Sequence, residues 1–78
     1  MPRLTAAQLR GPLLDGAVKA ARSLGNRDVT RKSLFDNPAH RALFRRMLEE
    51  AVDNPESDAA GEAAAALLKE LGPGGSDD

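Results

Sequence analysis

A chain of 78 residues holds one domain at most, and at this size a single core supplies only roughly 3 to 5 kcal/mol of net stability. Eleven Leu and fourteen Ala, against three Val and no Ile, Trp or Tyr, favour helix over strand. The lack of Cys excludes a disulfide framework and a thiolate metal site, and the longest apolar run, Ala63 to Leu68, is far too short to span a bilayer. With no apolar signal region at the N-terminus, the expectation is a soluble cytoplasmic protein with no membrane partner. The net charge of −1 hides a split, because residues 1–48 carry ten Lys/Arg against three acids and residues 49–78 carry nine acids against Lys69. A basic half suits an anionic partner. An acidic remainder suits a basic partner, self-masking or plain solubility.

The first element starts with a capping box, in which Thr5 is the N-cap, Gln8 stands three residues on, and Leu4 and Leu9 take the staple positions. Gly11-Pro12 then predicts a break or kink after a helical turn over 6–10, since an internal proline loses a hydrogen bond and collides with the preceding turn. A helix over about 12–24 follows, with Leu13, Leu14, Ala17, Val18, Ala21 and Leu24 in a helical stripe and Gly25 as a left-handed stop. Gly16 inside that stripe costs up to ~1 kcal/mol of helix propensity, which a closely packed neighbouring helix would explain.

After the polar connection Gly25-Asn26-Arg27-Asp28, Thr30 can cap a helix of about two turns reaching Asp36, with Leu34 and Phe35 facing the core. Arg31 and Lys32 in its first turn oppose the helix dipole, so either an anion is held there or two solvated cations are tolerated. Asn37 and Pro38 are N-cap and first residue of the longer helix of this central pair, over about 38–52. Leu43, Phe44, Met47 and Leu48 form its apolar arc, and Arg45 with Glu49 and Arg46 with Glu50 stand four apart as weak ion pairs. The four apolar residues are expected to meet Leu13, Leu14, Val18, Leu34 and Phe35 in one cluster. A last helix over about 57–71 carries Ala60, Ala64, Leu67, Leu68 and Leu71 on one stripe, and residues 73–78 read as a disordered acidic tail after a domain at 1–72.

Catalysis has little to stand on. His40 is the lone imidazole, no nucleophile motif or Gly-rich phosphate loop occurs, and no spacing suits calcium, so no catalytic residue, metal site or cofactor is expected. His40 falls near the middle of an apolar arc, which points to a partly buried ring bonded to backbone or a carboxylate rather than to a pH switch.

Ala20-Ala21-Arg22-Ser23-Leu24-Gly25 followed by Val29-Thr30-Arg31-Lys32-Ser33-Leu34-Phe35 is similar to the Ala-Ala-x-x-Leu-Gly-Val-Ser-Arg-x-Thr-Leu-Tyr pattern of bacterial helix-turn-helix regulators, with Asn26-Arg27-Asp28 inserted in the turn. The continuation from Pro38 to Ala51 resembles the segment after the recognition helix in tetracycline-repressor-type DNA-binding domains, without their aromatic before the proline. This resemblance implies that Thr30, Arg31, Lys32 and Ser33 lie at a DNA face. A second register, in which Leu13-Leu14-Asp15-Gly16-Ala17 to Gly25 resembles the first helix of that family, moves recognition to the helix from Pro38 and to Arg41, Arg45 and Arg46.

The expectation is therefore an all-α bundle of four main helices in a helix-turn-helix-like arrangement, serving as a small regulatory module that binds DNA in transcriptional control. The alternative is a protein-interaction module that binds and neutralises a transcription factor or other regulator. Near-neutral net charge counts for that alternative, because small stand-alone DNA binders are usually basic. A homodimer is compatible with either.

Overall fold

The computed structural model describes residues 4–72; the tail expected at 73–78 lies outside the described residues. Four helices occupy them, α1 (Ala6–Ser23), α2 (Ser33–Asp36), α3 (Pro38–Asp53) and α4 (Asp58–Leu71), with no strand among the described residues. The smallest dimension, 19 Å, is two helix diameters, so the molecule is two helices thick.

The helix starts follow local chemistry. Thr5 Oγ1 accepts from Gln8 N and the Gln8 side chain accepts from Thr5 N, closing the capping box. Asn37 Oδ1 accepts from Ala39 N at 2.9 Å and His40 N at 3.2 Å. Ser57 Oγ accepts from Ala60 N at 3.1 Å. Helix α1 ends in a Schellman motif: Asn26 N donates to Ala21 O, Gly25 N donates to Arg22 O, and Gly25 sits at φ 105°, which glycine adopts without strain.

The break expected at Gly11-Pro12 does not form, and α1 runs through it as one helix of 18 residues. Pro12 is exposed, as is Gln8, the residue whose carbonyl loses its donor there. The capped first turn and the apolar contacts of Leu13, Leu14 and Ala17 hold both halves in line. Helix α2 is also shorter than expected: Arg31 and Lys32 form a turn, and only one α-helical turn follows. Asn37 is at once the end of α2 and the N-cap of α3, which makes a one-residue corner.

Helix α4 is the central packing element, touching α3 along most of its length and α1 nearly as much, whereas α1 and α3 meet only over a short stretch. Its Ala63, Ala64, Leu67 and Leu71 are buried, the alanines allowing close approach. At the opposite end, a side chain at Gly61 would come within 3.1 Å of the Pro55 ring, so glycine is what lets the α3–α4 connection fold onto α4. The core is one cluster containing Leu14, Val29, Leu34, Phe44, Leu48 and Leu67, with Leu13, Val18, Phe35, Leu43 and Met47 packed against it, as the apolar spacing anticipates. Phe44 is fully buried and meets Phe35 edge to face, with centroids 5.8 Å apart.

Candidate functional site

Four of the seven residues singled out from the sequence are held by partners within the chain. Thr30 and Ser33 cap each other: Thr30 N donates to Ser33 Oγ at 2.8 Å, and Ser33 N donates to Thr30 Oγ1 at 3.1 Å. Thr30 therefore closes the turn that leads into α2 and does not occupy the N-cap position expected for it, which falls to Lys32 without a side-chain hydrogen bond. His40, 8% exposed, lies with Nδ1 2.8 Å from Ser33 Oγ, so its partner is a hydroxyl and not the backbone or carboxylate expected. That hydroxyl also lies 3.0 Å from Thr30 O, which makes Ser33 the junction between the α2 turn and α3.

Arg31 stays exposed and reaches back along the surface to α1. Its Nε donates to Asp15 Oδ1 at 2.8 Å and its terminal nitrogen reaches Gly11 O at 3.5 Å. The conflict between this cation and the α2 dipole is therefore met by a carboxylate of the same chain. Lys32, with its side chain 88% exposed, approaches Asp36 only at 4.0 Å. Arg41 donates to Leu71 O, placing a half-buried cation on the C-terminal carbonyls of α4. Because Arg41 stands near the start of α3 and Leu71 at the end of α4, the two helices run antiparallel.

Arg45 is half-buried and Arg46 exposed. Among the described residues the ion pairs are Arg10–Glu70, Arg31–Asp15 and Lys32–Asp36, so the expected pairs of Arg45 with Glu49 and Arg46 with Glu50 do not close. Glu50 instead accepts from Asn54 Nδ2 at 3.0 Å. The structure does not gather the seven candidates on one face, since Arg31 points toward α1 and Arg41 toward the end of α4.

Two further arginines act as staples that short-range spacing did not reveal. Arg22 donates twice to Val29 O, at 3.0 and 3.2 Å, and fixes the loop leading to α2. Arg10 makes a two-point contact with the Glu70 carboxylate, whose hydrogen bond raises the guanidinium above its ordinary pKa. Among the described residues no group of three or more His, Asp or Glu is placed to hold a metal ion, and no helix is long and apolar enough to cross a membrane.

The feature that helical phase alone did not reveal is an open apolar groove of about 270 Å³ between α1 and α3. Its walls are Leu13, Gly16 and Ala20 from α1 and Met47 and Ala51 from α3, over a floor that includes Phe44. Helix α4 contributes nothing to it. Gly16 and Ala20 are exposed, and a Cβ added at Gly16 would meet nothing within 4 Å. The neighbouring helix expected over that glycine is thus not supplied by the described residues. The signal available in the sequence was the glycine itself, a costly residue within an apolar stripe. Comparison with known proteins finds no matching family model, no matching curated protein and no matching solved structure.

Proposed function

We propose that this chain is a protein-interaction module whose working surface is the groove between α1 and α3, which receives the apolar face of a partner helix. The observation that carries this reading is the combination of an apolar lining with the uncovered Gly16 in the middle of one wall. Grooves of this kind recognise amphipathic helices through apolar anchors at i, i+3, i+4 and i+7, and a glycine lets such a helix approach the backbone closely. A partner that is a transcription factor or other regulator would be neutralised by having its own helix masked.

The DNA reading draws less support from the geometry. Arg31 and Arg41 are tied to Asp15 and Leu71, and Thr30 and Ser33 to each other, which leaves Lys32, Arg45 and Arg46 as the candidates for phosphate contacts. Two measurements test the proposal together. Titration with generic duplex DNA at low and moderate salt should show no salt-steep binding by the wild type. Affinity capture followed by identification of the captured protein should give a partner that is lost on Ala20→Glu and kept in the Lys32→Ala, Arg46→Ala double variant. Duplex binding that falls steeply with salt, and is weakened by that double variant, would overturn the proposal in favour of DNA.

A further inference from the structure

We infer that the groove takes a second copy of this chain, the two copies related by a two-fold axis with their α3 helices antiparallel. The inference rests on the groove being a docking surface, and what it adds is the identity of the occupant. The order of charge along α3 selects this occupant. Arg46 stands at the middle of α3, and Glu50 and Asp53 follow it toward the C-terminal end on the same side. Turning 100° per residue, Leu43, Met47 and Ala51 follow one stripe, and Arg46 and Glu50 lie one turn apart beside it, on the side away from Leu48 and the core. Both are exposed, and they do not pair with each other.

A helix whose charge changes sign along its length is complementary to itself only when the second copy runs the other way. A two-fold axis imposes that direction, because each contact is then made twice with the roles exchanged. With the axis passing near Met47 and Leu48, Arg46 faces Glu50 of the second copy, and Glu50 faces its Arg46. Leu43 and Met47 of each α3 then enter the groove of the other over Gly16 and Ala20. A partner of uniform charge would match only half of this edge. The second copy also supplies the neighbour that Gly16 lacks. A core limited by chain length gains from such an association, since binding of folded copies draws the unfolding equilibrium toward the native state.

Sedimentation equilibrium across a concentration series tests this, with circular dichroism melts confirming that each variant folds. The wild type should move from 8.2 kDa toward twice that mass as concentration rises. Gly16→Leu fills the groove at a position where the monomer has room, so it should stay folded and remain at 8.2 kDa. Arg46→Glu and Glu50→Arg should each weaken the dimer by about tenfold or more, and the double exchange should restore it to within about twofold. A wild type that remains at 8.2 kDa up to ~1 mM overturns the inference. That outcome would leave the groove reading to its own capture experiment, which depends on a different protein. A dimer indifferent to Gly16→Leu, or single charge reversals that the double exchange does not rescue, would overturn it as well.

Discussion

The side of α1 and α3 that meets α4 is closed by Ala63, Ala64, Leu67 and Leu71, whereas the side without α4 is left as a groove bordered by Gly16, Ala20 and Met47. Both sides draw on similar residue types, and what separates them is the third helix. On the closed side the small residues are buried against a neighbour and raise packing density. On the open side residues just as small face nothing. Small size therefore identifies a packing position only once the partner is known, and a glycine with no partner among the described residues marks a place where something else fits.

Removing side chains from the closed side should have the largest effect on this comparison. Phe44→Ala should cost about 3 to 5 kcal/mol and Leu67→Ala about 2 to 5, each large enough to approach the whole stability of so small a domain. If thermal melts of both variants match the wild type, the closed side is not the core. Ser33→Ala is expected to cost about 1 to 2 kcal/mol, because it deletes half of the reciprocal cap with Thr30 and leaves buried His40 Nδ1 without its partner. Denaturant titration should show this as a lower midpoint with an unchanged slope.

Gly16→Ala sharpens the comparison by changing sign. Room exists for the new methyl group, so the variant should gain about 0.5 to 1 kcal/mol at protein concentrations too low for association. A loss instead would mean that something in the chain covers Gly16. The smallest effect is expected from Arg10→Ala, below about 1 kcal/mol, because both partners of that ion pair are largely solvated. The bond to Glu70 raises the guanidinium pKa, so its contribution is complete below the ordinary Arg value and is lost only as pH rises through the raised one. Melts at roughly pH 6 and pH 8 should show the same small difference, and added salt should shrink it.

What the sequence revealed was whatever acts within one turn of helix. The Thr5/Gln8 box, Asn37 before Pro38 and Gly25 after α1 are local chemistry, and each is found in its expected role. The core followed as well, because the positions of Leu14, Phe44 and Leu67 within their helices leave one arc for burial. Pro12 misled because its cost falls at an exposed position and leaves the helix continuous, and exposure is a property of the folded molecule. Arg31 and Arg41 were singled out as cations, yet their partners lie 16 and 30 residues away, beyond any local rule. The groove was the least legible feature, since it depends on α1 and α3 diverging while α4 fills only one side of the pair.

The uninterrupted passage of α1 through Pro12 carries a consequence for its motions. The helix lacks one backbone hydrogen bond at that point, and four residues later Gly16 offers no side chain to hold the next turn against a neighbour. The stretch from Ala6 to Gly16 is then fastened mainly by the Thr5 cap, by Leu14, and by the Arg10–Glu70 and Arg31–Asp15 bridges, whereas Ala17 and Ala21 anchor the remainder in the core. Amide hydrogen exchange should therefore divide one continuous helix into two segments, the first opening to solvent without global unfolding and the second exchanging only with it.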